Sequence, residues 1–130
     1  MIGLDTCAII DLFKGDKGIK VFLERSNEQT VTTIINYSEI QFGLNPANSV
    51  HNKEREFYEL LLSEIRILDL TREGCGKASS VFWQLNKKGK TIQKMDCTIA
   101  AILLTNGITH ILTRNAKDFK HIDGLTTIPY

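Results

Sequence analysis

The stretch Asp96-Cys97-Thr98-Ile99-Ala100-Ala101-Ile102-Leu103-Leu104-Thr105-Asn106-Gly107-Ile108-Thr109-His110-Ile111-Leu112-Thr113 decides the architecture. Asp96 opens a strongly apolar helix that runs to Asn106, and Gly107 ends it as a C′ residue does. Thr109 to Thr113 then reads as a short β-branched strand. The same alternation repeats upstream. Ile2-Gly3-Leu4 is an apolar strand, Thr6 to Lys14 a helix with Ile9, Ile10 and Phe13 at core spacing, and Lys17 to Arg25 a second helix around Ile19, Phe22 and Leu23. Gln29 to Thr32 is a strand followed by a helix over Thr33 to Leu44. After Pro46 comes an amphipathic helix reaching Glu64, with Phe57, Leu60 and Leu61 expected inward. Arg66 to Leu70 is a third strand and Arg72 to Lys88 a helix carrying Ala78, Val81, Phe82 and Leu85. Leu125 to Ile128 adds a fifth strand downstream. Such alternation implies an α/β fold, a parallel sheet of four to five strands with helices on both faces. Right-handed crossovers then gather the carboxyl ends of the strands on one edge, where α/β proteins place their sites.

The chain has 130 residues, 42% of them hydrophobic and 24% charged, which describes a globular chain and excludes disorder. Its length suits a single domain over residues 1–130, and two prolines with no Gly/Ser-rich tract offer no linker. Sixteen Lys and Arg against 15 Asp and Glu leave a net charge of +1, so any nucleic-acid footprint is a local patch. Three cysteines without CxxC spacing exclude a disulfide framework and a zinc ribbon, and suit a reducing compartment. MIGLDTCAIID carries Asp5 and no basic stretch before its apolar run, so no signal peptide is expected. The apolar run Ile99 to Leu104 is far short of the ~18 residues a membrane span needs, and a cytoplasmic protein without membrane attachment is expected.

Four acids fall where that edge should be. Asp5 ends the first strand and Asp96 precedes the apolar helix; each, taken singly, is explained as well by N-capping. Glu39 shares a helix face with Ile35 and Phe42, so it either snorkels from the rim of the buried stripe or is aimed at something. Asp118 follows the fourth strand, three residues after Asn115, where an Asx turn is the plain alternative. Their joint placement is the stronger signal. Two carboxylates about 4 Å apart repel by about 4 kcal/mol at an effective dielectric of 20. Several such groups persist together when some are protonated or when a hard divalent ion binds them, and all-oxygen ligation suits Mg²⁺ or Mn²⁺.

These residues resemble a known family. Leu4-Asp5-Thr6, Tyr37-Ser38-Glu39-Ile40 with Gly43, Asp96-Cys97-Thr98-Ile99-Ala100-Ala101 and the Thr113 to Phe119 stretch look like the four blocks of PIN-domain nucleases. Length and spacing are similar to the VapC-type toxins of toxin–antitoxin pairs. The resemblance implies an α/β/α sandwich, usually dimeric, with an antitoxin partner that holds it inactive. It implies a Mg²⁺- or Mn²⁺-dependent endoribonuclease that hydrolyses RNA with metal-activated water, leaving a 5′-phosphate and a 3′-hydroxyl. Carried over by position, Asp5 and Asp96 are the principal metal ligands, and Glu39 completes the set and orients the attacking water. Asn115 stands where some members carry an acid, which leaves Asp118 as the nearby carboxylate and the fourth position open between the two. Thr6, Thr113 and Asn115 support the acids by hydrogen bonding.

Lys87, Lys88, Lys90 and Lys94 precede the Asp96 helix, and Arg114, Lys117 and Lys120 flank the Asp118 turn; they either steer RNA or are solvated surface. Cys7 and Cys97 read as small packing residues, and Trp83 with Phe82 as core or dimer contact rather than a base-stacking platform. A dehalogenase-type phosphatase needs an Asp where Cys7 stands, and no GxGxxG or P-loop follows the first strand. The remaining alternative is a PIN-like module that binds RNA or protein without cutting.

Overall fold

A computed structural model describes residues 1–130. Five short strands, β1 (Ile2–Leu4), β2 (Thr30–Thr33), β3 (Arg66–Leu68), β4 (His110–Leu112) and β5 (Thr126–Ile128), form one sheet in the order β3-β2-β1-β4-β5. Every pairing is parallel. The helices are α1 (Thr6–Phe13), α2 (Lys17–Ser26), α3 (Ile34–Phe42), α4 (Ser49–Leu62), α5 (Arg72–Lys87), α6 (Lys94–Thr105) and α7 (Ala116–Phe119). The expected α/β/α sandwich with a parallel central sheet is the observed fold.

Two apolar clusters lie on opposite faces of the sheet. One joins Val81 and Leu85 of α5 and Ile99, Ile102 and Leu103 of α6 to Val31, Leu68 and Ile111. The other joins Ile9, Ile19, Ile40, Tyr58 and Leu62 to Ile2, Leu4 and Leu112. Residues Cys97 to Leu103 of α6 are all buried, so this helix lies between the sheet and α5 and is apolar around its circumference. It approaches β1 closely at Gly3, where a Cβ would stand 2.7 Å from Leu103 Cδ1. Gly107, at φ 73°, ends α6 in the left-handed conformation its place requires.

Four details differ from the sequence reading. Strand β2 sits one residue later than expected, because Thr33 both ends the strand and caps α3, its hydroxyl accepting from Asn36 N. On α4 the inward face is Tyr58 and Leu62, with Tyr58 stacked on Phe13 at 4.0 Å; Phe57 and Leu60 are exposed. The apolar run Leu60-Leu61-Leu62 gives no phase by itself, and the aromatic pair sets it. On α3 the buried residues are Asn36 and Ile40, while Phe42 is 89% exposed, so Glu39 is not on a buried stripe. Helix α6 begins at Lys94 after Gln93, and Asp96 lies inside its first turn without capping it.

Candidate active site

Strand register brings the site together. Leu4 pairs with Leu112 and Gly3 with Val31, so Asp5 lies level with Thr113 on one side and Thr33 on the other. Asp5 is 7% exposed, and both its oxygens are held. Oδ1 accepts from Thr6 N at 2.9 Å and from Asn36 Nδ2 at 3.2 Å. Oδ2 accepts from the Thr113 hydroxyl at 2.7 Å and from the Cys7 thiol at 3.7 Å. Asp5 is therefore the N-cap of α1 and also the centre of a polar network at the sheet edge.

Asn36, which the sequence reading passed over, is the hub of that network. It is fully buried, and its Oδ1 accepts from Thr33 N and the Thr33 hydroxyl at 3.3 and 2.7 Å. Its Nδ2 donates to Asp5 and, at 2.9 Å, to Thr6 Oγ1. Thr6 in turn donates to Glu39 Oε2 at 3.0 Å. The available signal was Thr33-Ile34-Ile35-Asn36, a capping box with Asn where Glu or Gln is usual.

Asp5, Glu39, Asp96 and Asp118 all line one cleft of about 390 Å³, with Thr6, Cys7, Gln93, Arg114 and Asn115 around them. The four acids come from four separate segments. Asn115 Nδ2 donates to Asp118 Oδ2 at 2.7 Å, and Asn115 N donates to the Thr113 hydroxyl at 2.9 Å, so Asn115 steers Asp118 from its own turn. The turn is the short helix α7 rather than an isolated Asx turn. Thr6, Thr113 and Asn115 thus all lie in the network.

The cleft is electrostatically strained. Asp96 is half-buried, and its carboxyl is pushed up to about 6, first by burial and then by the charges of Asp5, Glu39 and Asp118. Glu39 is raised above the usual carboxylate range by partial burial; the Thr6 bond opposes this and the Asp5 charge adds to it. The donor set is carboxylate oxygen without imidazole, which fits a hard dication, and such an ion would relieve this repulsion. In this conformation no three of these groups close on one point.

Of the basic candidates, only Arg114 lines the cleft. Its Nε meets Asp11 Oδ2 at 2.9 Å, and the Tyr130 hydroxyl donates to the same oxygen at 2.6 Å. Lys94 opens onto a neighbouring pocket instead. Lys88 pairs with Asp123 at 3.1 Å, and Lys88, Lys90 and Lys120 press positive charge on His121. Lys87 and Lys117 are exposed and unpaired.

The Asp96 shift gives a pH dependence of definite sign. Its folded-state value of about 6 lies above the ordinary aspartate value of 3.8, so the unfolded chain ionises first as pH rises. In chelator, the contribution of Asp96 to stability should be fully present below pH about 4, be lost through pH 4 to 6, and stay constant above that. Thermal melts across this range should show the slope in the wild type and a weaker one in Asp96→Asn. That variant should also melt higher than the wild type at pH 7.5. Equal slopes would mean that Asp96 is not the group whose ionisation is held back in the fold.

A family model described as PIN domain matches residues 2–125. An uncharacterized protein of Archaeoglobus fulgidus is 38% identical over 94 residues, covering 71% of this chain and 96% of that protein. Ribonuclease VapC1 of Rickettsia felis is 30% identical over 127 residues, 96% of this chain and 92% of its own. The crystal structure of VapBC2 from Rickettsia felis, bound to a DNA fragment from their promoter, superposes with a TM-score of 0.87. That match has 22% identity and covers 100% of this chain and 99% of the other.

Proposed function

This chain belongs to the PIN domain family, in its VapC-type branch, and from that premise we propose that it is a divalent-cation-dependent endoribonuclease and the toxin of a toxin–antitoxin pair. The observation that carries the reading is the meeting of Asp5, Glu39, Asp96 and Asp118 in one cleft, with Asp96 pushed up to about 6. A module that only bound RNA would gain nothing from this negative charge, which repels phosphate. The unit is taken as residues 1–130, acting in the cytoplasm, as a homodimer, with a cognate antitoxin protein as regulator.

Asp5, Asp96 and Glu39 would hold a Mg²⁺ or Mn²⁺, which when bound lowers the pKa of water and offsets charge on a phosphoryl oxygen. The chain supplies the positioning. Asn36, Thr113 and the Thr6 amide fix both oxygens of Asp5, so the carboxylate cannot rotate away. Glu39, at the rim with a raised pKa, is suited to take a proton from a water beside the phosphodiester. Asn115 holds Asp118 in the same cleft as the fourth carboxylate. Arg114, steadied by Asp11, offers a planar cation to the phosphate at the cleft mouth.

The test is cleavage of total cellular RNA by the pure chain with Mg²⁺ or Mn²⁺, with and without chelator. Cleavage should require the ion, and sequencing of the fragments should find 5′-phosphate ends. Binding without cleavage in either metal would favour the non-cutting module.

A further inference from the structure

Of the pair expected in the core or a dimer contact, Phe82 packs against the core cluster beneath α5 and α6, while Trp83 turns outward. Trp83 is 61% exposed and meets Phe82 edge-on at 5.2 Å between centroids. Together with Ser79, Lys94 and Thr98 they line a pocket of about 290 Å³ between α5 and α6. Lys94 Nζ stands 5.8 Å from the Phe82 ring centroid, and no carboxylate lines the pocket. Lys87 falls one turn after Trp83 on the same helix, an i, i+4 neighbour.

The pocket adjoins the acid cleft across a single helical turn. Gln93 and Asp96 face the cleft, while Lys94, Cys97 and Thr98 face the aromatic pocket. A helix is about 10 Å across, so a strand passing over the start of α6 would reach both. We propose that the Trp83–Phe82 pocket seats an unpaired nucleobase of the RNA substrate, with Lys94 meeting an adjacent phosphate. This rests on the ribonuclease reading above and adds a subsite to it.

The occupant follows from the chemistry. An exposed indole beside a phenyl ring offers a stacking face to any base, and a cation without an opposing acid suits a polyanion. Single-stranded RNA, whose bases are splayed and unstacked, supplies both partners together. A second copy of the chain is the competing occupant, and the test separates them.

Trp83 is the sole tryptophan, so its emission reports this pocket alone. The full chain carrying Asp5→Asn, in chelator, is titrated with a short single-stranded oligoribonucleotide. Emission should be quenched to saturation. In the active protein Trp83→Leu should raise KM about tenfold with kcat nearly unchanged, and Trp83→Phe should recover most of the loss. Lys94→Met should raise KM and flatten its salt dependence. Unquenched emission with an unchanged KM in Trp83→Leu would overturn the proposal. So would an emission shift with rising protein concentration in the absence of RNA, which would assign the pocket to a second copy. If no variant or wild type cuts RNA, the nuclease reading fails, yet saturable quenching would still support the subsite.

Discussion

Asp5→Asn should lower RNA cleavage about a thousandfold or more, since the charge stabilisation lost at a metal centre is several kcal/mol. The melting temperature should stay within about 5 °C of wild type. The two outcomes separate chemistry from folding because of how Asp5 is held. Its Oδ1 accepts from Thr6 N and Asn36 Nδ2, and an amide oxygen can replace it there. On the other side the new amide nitrogen would face Thr113 Oγ1, whose hydroxyl can rotate to accept. The α1 cap therefore survives, and repulsion on Asp96 falls. What is lost is the charge. Rate assays in Mn²⁺ beside a thermal melt decide the matter. Comparable cleavage by the variant would remove Asp5 from the chemistry, and inactivity with unfolding would reduce it to a cap.

The fold was legible because its signals are periodic and local. Strand–helix alternation, Gly107 after α6 and the apolar run through Ile102 each specify a conformation without needing a partner. The cleft was legible as a set of acids at strand ends, because parallel topology forces those ends together. Phase was not. Phe57, Leu60 and Phe42 stay exposed while Tyr58, Leu62 and Ile40 turn inward, and that choice depends on the Phe13–Tyr58 stack and on the Thr33 cap. Capping of α6 by Asp96 was likewise undecidable from a run of helix formers. Asn36 was missed for a related reason. A buried amide is defined by the groups it joins, and Thr33, Asp5 and Thr6 come from two strand ends that only the folded register sets side by side.

That hub supports the second large effect, predicted for Asn36→Asp. The substitution keeps shape and volume and turns the donor toward Asp5 into an acceptor. Two carboxylate oxygens would then face each other across the 3.2 Å now spanned by a hydrogen bond. Two charges at that distance repel by about 5 kcal/mol at an effective dielectric of 20, comparable with the net stability of a small domain. The variant should be mostly unfolded or strongly destabilised at pH 7.5. Acidification should rescue it, because protonating one of the pair restores a donor. The raised pKa of that pair means the stability is present below the ordinary carboxylate range and lost as pH climbs through the raised value. Asn36→Ala provides the contrast. It strands the Thr33 amide and hydroxyl and opens a void, a cost of about 2–4 kcal/mol, and adds no new charge at the hub. Urea unfolding of both variants against wild type at pH 5 and pH 7.5 reads the difference directly. Relative to wild type, the Asn36→Asp deficit should shrink strongly at the lower pH, while the Asn36→Ala deficit, which loses one donor to Asp5 but adds no charge, should change much less. Should the aspartate variant match wild type at pH 7.5, Asn36 does not hold Asp5, and the orientation of the whole carboxylate cluster must come from Thr113 and the helix cap instead.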